Sequence, residues 1–249
     1  MVHFVGAGPG AADLITVRGR ELIERADIII YAGSLVNKEL LEYAAEDCEV
    51  YNSAHMTLEQ VTGIMEKNRN KSIVRLHTGD PSVYGAIREQ EDVLERLGIE
   101  YDVCPGVSSM FGAAAALGAE YTLPGVSQSV IITRMAGRTP VPEAESIEKL
   151  AAHGASMAIF LSAGMLGELS ERLIEGGYAP GCAAAIVYKA TWPDEKRIIT
   201  TVGGLAAAGA ENGISKTAIV LVGGFLDGGY ERSRLYDPAF SHGCRKGAE

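Results

Sequence analysis

Short β-branched runs separated by amphipathic stretches recur down this chain, and that rhythm restricts its fold more than any single motif. VHFVG, DIIIYAG, CEVYNS, SIVRLHTG and EYDVCPG read as five strands before residue 106, with ITVRGRELIERA, NKELLEYAAE, TLEQVTGIMEKN and AIREQEDVLERLG between them. Strands alternating with helices of that length feed a parallel sheet. VSSMFGAAAALGA reads as a buried helix, EYTLPGVSQ carries the Pro and Gly of a linker, and the rhythm then restarts. SVIITRM, SMAIFLSA, AAAIVYKAT, KRIITTV and TAIVLVGG are the second set of strands, with SIEKLAAHG, LGELSERLIEGG and GLAAAGAENG as helices. The expected class is α/β, with domains at 1–119 and 128–229, a linker at 120–127 and an aperiodic tail at 230–249.

The 249 residues suffice for two such domains, and 47% hydrophobic with 22% charged residues is ordinary for a globular chain. A net charge of -10 speaks against nonspecific nucleic-acid binding, which needs a basic face to displace counterions. It leaves room for an anionic small molecule held by a few local arginines. Cys48, Cys104, Cys182 and Cys244 form no C-x-x-C pair, and the histidines His3, His55, His77, His153 and His242 form no i, i+4 pair, so no protein-bound metal is expected. No basic leader with a long apolar core and no run of about 18 apolar residues is present, so the expected setting is the cytoplasm, away from membranes.

FVGAGPGAAD, after the first strand, satisfies G-x-G-x-x-A at Gly6, Gly8 and Ala11, the fingerprint of a dinucleotide site. Such a site also wants an acid at the end of the second strand, where this chain has Tyr31, Ala32 and Gly33. Asp27 lies at the wrong end, and Pro9 lacks an N–H where pyrophosphate needs donors. The fingerprint is therefore read as something other than a pyrophosphate cradle.

In an open parallel sheet ligands gather outside the carboxyl ends of the strands. GAGPG, GSLV, NSAHM, HTGDPSVYG and CPGVSS all fall on that edge. In HTGDPSVYGA, Asp80 is either a ligand acceptor or the closer of an Asx turn or helix cap. Ser108 and Ser109 are placed to N-cap the Ala-rich helix.

Taken together, GAGPGAADLITVRG, HTGDPSVYGA, PGVSS and KATWPDE, in this order and spacing, resemble the tetrapyrrole (corrin/porphyrin) methyltransferases that use S-adenosylmethionine. TRMAGRTPVPE, VYKATWPDE and RLYDPAFSHGCRKG are most similar to members acting on corrin precursors in cobalamin biosynthesis. The resemblance covers essentially the whole chain. It implies the tetrapyrrole methylase fold rather than a Rossmann methyltransferase, a bent cofactor in a trough between two α/β domains, and a homodimer.

Residue by residue, it implies that Pro9 faces the cofactor and that Thr78, Gly79, Asp80, Val83 and Tyr84 line its methionine side, with Ser108 and Ser109 nearby. Phe160, Leu161, Ser162, Lys189, Ala190, Thr217 and Ala218 are implied around the adenosine, although Leu161 and Ala218 alone would read as core. A polycarboxylate tetrapyrrole calls for guanidinium groups. Arg134, Arg138, Arg18 and Arg88 are the candidates, each equally readable as a solvated charge, and His55 and Met56 are expected near the ring. No side chain is assigned a catalytic proton transfer. Gly33 stands where wider members carry an acid, so any role of that carboxylate does not transfer. Trp192 and Asp194 are open between a site role and loop packing. The same fold also admits another tetrapyrrole position or another substrate, and a noncatalytic tetrapyrrole- or nucleotide-binding protein is the reading from a different class.

Overall fold

The structure, a computed structural model, describes residues 1–247. It divides into two compact units: Met1–Ala113 with Lys189–Asp194, and Ala114–Tyr188 with Glu195–Glu249. The boundary falls inside the Ala-rich helix.

In the first unit, β1 (Val2–Gly6), β2 (Ile28–Tyr31), β3 (Glu49–Asn52), β4 (Ile73–His77) and β5 (Tyr101–Cys104) form a sheet in the order β3-β2-β4-β1-β5. Every pairing in it is parallel, as the strand-helix rhythm predicts. Successive residues of β2 enter different cores. Ile29 and Tyr31 pack with Val5, Val74 and Ile23, whereas Ile28 and Ile30 pack with Phe4, Met65 and Leu94. Period-two alternation with both faces apolar is what a covered parallel sheet requires.

Helices α1 (Val17–Glu24), α2 (Leu58–Lys67), α3 (Arg88–Leu97) and α4 (Ser109–Leu117) follow the expected segments. Thr16 caps α1 by accepting from the Gly19 amide, and Thr57 with Gln60 closes a reciprocal capping box on α2. NKELLEYAAE differs from a regular α-helix, forming a 3-10 helix at Lys38–Tyr43 in which Leu40 is the buried residue. Ile23 of α1 packs on one face of the sheet, while Met65 of α2 and Leu94 of α3 pack on the other. The chain therefore leaves neighbouring strands β1 and β4 toward opposite faces of the sheet, the arrangement that marks a topological switch point at their carboxyl ends.

The second unit holds β6 (Val130–Arg134), β7 (Ser156–Phe160), β8 (Ala183–Tyr188), β9 (Lys196–Thr201) and β10 (Ala218–Val222), ordered β6-β7-β10-β8-β9. Its helices are α5 (Ile147–Ala151), α6 (Leu166–Glu175) and α7 (Leu205–Glu211). Only β6 and β7 run parallel, and the remaining pairs are antiparallel. Met157, Ile159, Ala184, Ile186, Val220 and Val222 alternate onto the face covered by α6 and α7 residues Leu169, Leu173 and Leu205. The passage read as a linker is packed, with the Tyr121 carbonyl accepting from the Ser156 hydroxyl and the Tyr121 ring 5.0 Å from Phe225. In the tail, Arg245 donates to the carbonyls of Leu235, Asp237 and Phe240; Ala248 and Glu249, its last two residues, lie outside the described residues.

Candidate active site

In the first unit, three loops meet where β1, β4 and β5 end. Gly8 and Gly79 form an antiparallel bridge, with Gly79 N donating to the Gly8 carbonyl at 2.9 Å. A Cβ on Gly6 would stand 2.5 Å from the Gly106 Cα and 2.6 Å from the Gly79 carbonyl oxygen, so the three backbones touch without side chains between them. The fingerprint glycines thus serve loop-on-loop packing. The amides that a pyrophosphate would need are also taken, because Ala7 N donates to His77, Gly8 N to Gly79 and Ala11 N to the Thr191 hydroxyl. Asp27, as its place before β2 requires, receives the Ser72 amide just before β4, at the opposite edge.

Asp80 fastens this junction. One carboxylate oxygen accepts from the Ser82 amide at 2.8 Å and from the Ser82 hydroxyl, closing an Asx turn, and the other accepts from the Gly106 amide at 2.8 Å. Burial works against the charge, but these donors outweigh it and hold the carboxyl below its ordinary range. Ser108 is buried and sits just before α4, its carbonyl accepting from the Phe111 amide. Pro9 is buried too, close enough to α4 that a Cβ on Gly112 would lie 2.8 Å from it.

The segment Lys189–Asp194 belongs to this unit and clasps the first loop. Thr191 receives the Ala11 amide at 2.9 Å, and the Trp192 indole lies so close to Gly10 that a Cβ there would be 2.1 Å from its Cδ1. Lys189 pairs with Asp194 at 2.6 Å and sits 5.5 Å from the Trp192 ring centre. Asn37 completes the hold on Gly10 by donating to its carbonyl at 3.0 Å. Trp192 therefore packs within the clasp, and Asp194 joins it through its ion pair with Lys189.

In the second unit, the register sets Arg134 beside Phe160 and Ala218 beside Tyr188, so the carboxyl ends of β6, β7 and β8 and the start of β10 share one edge. Leu161 there is 64% exposed, large for an apolar residue in an ordered turn. Ser162 is buried with its hydroxyl engaged, donating to Phe160 and accepting from the Met135 amide. Arg134 donates to the carbonyls of Met135, Thr139 and Pro140, which shapes its own loop. It also lines a shallow recess with Glu143, Glu145 and Arg172, a mixed rather than cationic surface. Arg138 is exposed and has no ion-pair partner among the described residues.

The other charge candidates are engaged elsewhere. Arg18 pairs with Asp102 at 2.9 Å, and Arg88 pairs with Asp92 and with Glu95, all on exposed surface. His55 is exposed in the 3-10 helix after β3, and Met56 packs against the Phe4 core.

Backbone strain marks the same segments independently. Among the described residues, the non-glycine residues with left-handed φ are Tyr84 (57°), Ala86 (50°), Leu161 (52°), Lys189 (46°), Thr191 (69°) and Thr217 (56°). That conformation costs about 1–2 kcal/mol for a residue with a Cβ, and such residues collect at ligand sites. Tyr84, Leu161, Lys189 and Thr217 are among the sequence-selected cofactor residues, and Ala86 and Thr191 lie within two positions of others.

The model for the tetrapyrrole (corrin/porphyrin) methylases matches residues 1–206. The chain belongs to that family. This tetrapyrrole methylase is therefore a methyltransferase. It is 52% identical to a cobalt-precorrin-4 C(11)-methyltransferase of Methanocaldococcus jannaschii over 98% of this chain and 96% of that one. A protein of the same name from Priestia megaterium is 46% identical over 100% and 98%, and a precorrin-4 C(11)-methyltransferase of a Sinorhizobium species is 44% identical over 98% of each. A solved cobalt precorrin-4 methyltransferase superposes with a TM-score of 0.89 at 46% identity, covering 91% of this chain and 95% of that one.

Sequence reasoning about this methylase missed Thr191, Asn37 and Gly106 as parts of the site's frame. Their roles are contacts with loops distant in sequence. KATWPDE and CPGVSS, at strand ends, contain Thr191 and Gly106, whereas Asn37 lies outside both.

Proposed function

We propose that this methylase transfers a methyl group from S-adenosylmethionine to C-11 of cobalt-precorrin-4, or of metal-free precorrin-4, in cobalamin biosynthesis, releasing S-adenosylhomocysteine. The observation that carries this reading is the 52% identity, over nearly the whole of both chains, to a relative named for that reaction. The motifs TRMAGRTPVPE, VYKATWPDE and RLYDPAFSHGCRKG support C-11 over other ring positions. Relatives named for the cobalt form, at 52% and 46%, favour the metallated substrate over the 44% metal-free one.

The residues present suit such a cofactor. In the first unit, a glycine-lined junction stiffened by Asp80 offers Pro9, Thr78, Gly79, Val83, Tyr84, Ser108 and Ser109 as a pre-shaped surface for its amino-acid portion, with Lys189 and Ala190 beside the first loop. In the second, Phe160, Leu161, Thr217 and Ala218 offer the small and apolar surface that an adenine favours.

When bound, the cofactor supplies an electrophilic sulfonium methyl group for attack by a ring carbon already made nucleophilic by the macrocycle. The protein then has to align and desolvate, which rigid loops do at no reorganisation cost during the step. Arg138, exposed and without an ion-pair partner among the described residues, is the strongest candidate for a substrate carboxylate, whereas Arg18 and Arg88 would first have to exchange their present partners. The protein is taken to work in the cytoplasm as a homodimer, and light scattering of the purified chain tests the second part.

Incubation with methyl-labelled cofactor and cobalt-precorrin-4 or precorrin-4, followed by location of the label, tests the reaction directly. Label at C-11 is the expected result; label at another ring position, or binding without transfer, would overturn it. Trp192 is the sole tryptophan and packs on the first loop, so saturating S-adenosylhomocysteine is expected to change its emission. Trp192→Phe should remove that signal while calorimetry still detects binding, and constant emission in the native protein would argue against ligand at this loop.

A further inference from the structure

We propose that Arg75 and Gln90 form a buried positioning pair that sets the shape of the loop after β4 and, through it, affinity for S-adenosylmethionine. The inference rests on assigning that loop to the cofactor. Arg75 lies within β4, the middle strand of its sheet, and is 7% exposed. Among the described residues it has no carboxylate at ion-pair distance. Its Nε donates to the Gln90 Oε1 at 3.1 Å, and its Nη1 donates to the Ile30 carbonyl at 3.1 Å. Gln90, also buried, donates from Nε2 to the Ala86 carbonyl at 3.0 Å.

The chemistry of the two side chains fixes a direction. A guanidinium can only donate, so the Gln90 oxygen must face Arg75 and the amide nitrogen must face Ala86. Arg75 thereby holds a donor against the carbonyl of a residue kept at a φ of 50°, two positions after Tyr84 at 57°. A buried guanidinium without a carboxylate is a poor way to stabilise a sheet, since an apolar side chain would fill the same place without a desolvation penalty. Its use here is to orient Gln90 and hold the strained turn against relaxation.

Gln90→Glu separates this role from packing. The variant keeps an acceptor for Arg75, now as an ion pair, but sets a carboxylate oxygen against the Ala86 carbonyl. Its melting temperature should be unchanged or higher, while the Kd for S-adenosylhomocysteine rises roughly tenfold, the factor associated with one lost hydrogen bond. The KM for the cofactor should rise more than kcat falls. Ala86→Gly in the same chain removes the Cβ penalty of the left-handed turn and should restore most of the affinity. Native-like affinity in Gln90→Glu, or a loss that Ala86→Gly does not recover, would overturn the inference. If the native protein itself fails to bind S-adenosylhomocysteine, the methyl-transfer reading falls, and the native arm keeps the two failures apart.

Discussion

Gly106→Ala is expected to destabilise the first unit by about 3 kcal/mol or more and to abolish measurable cofactor binding. The added Cβ would lie 2.1 Å from the Gly79 carbonyl oxygen and 2.7 Å from the Gly6 Cα. Both are backbone atoms, so no side-chain rotation relieves the overlap. Relief requires the loops after β1, β4 and β5 to separate, and separation also breaks the bond from Gly106 N to Asp80. Urea unfolding and calorimetry with S-adenosylhomocysteine read the two effects. Gly63→Ala is the matched control: it lies in α2, and a Cβ there meets nothing within 4 Å. It should raise stability by roughly 0.5–1 kcal/mol through helix propensity and leave binding alone.

Asp80→Asn should weaken cofactor binding and show a distinctive pH dependence. The native carboxyl titrates below its ordinary value because the donors from Ser82 and Gly106 outweigh the burial that opposes its charge. A depressed folded-state pKa means that the unfolded chain takes up the proton first. Its stabilisation is therefore complete above about pH 4 and is lost as pH falls through the lower native value. Asparagine can accept at one oxygen only, so the variant should be less stable by about 1–2 kcal/mol at neutral pH, allowing for solvent screening. That gap should close progressively in acid. A gap that stays constant from pH 7 to pH 3 would show that the charge contributes nothing.

The first sheet was legible because its three inner strands are buried almost throughout and separated by helix-length segments, the pattern of parallel connections. The direction of the second set was less legible. AAAIVY and KRIITT are strands by composition, but their antiparallel pairing depends on how the short KATWPDE turn folds back. The strand-end rule brought Asp80, Gly79 and Pro9 into one junction. It could not say whether a polar atom faces a ligand or the protein, since both readings place the same residue at the same turn. Asp80, Ser162 and Arg134 each hold their own loops, and that commitment depends on partners up to 27 positions away. The arginines were the least legible, because a long exposed side chain chooses among nearby carboxylates that sequence spacing cannot rank.

The Arg75–Gln90 pair also carries a warning for anyone who would engineer this protein. Replacing both with well-fitted apolar residues, Arg75→Met with Gln90→Leu, removes a buried charge and its side-chain partner together, a change that is often neutral or stabilising. A library screened for heat resistance alone would retain that combination. It would enrich sturdier proteins whose Ala86 turn has lost its tether, and only a screen that also demands turnover would discard them.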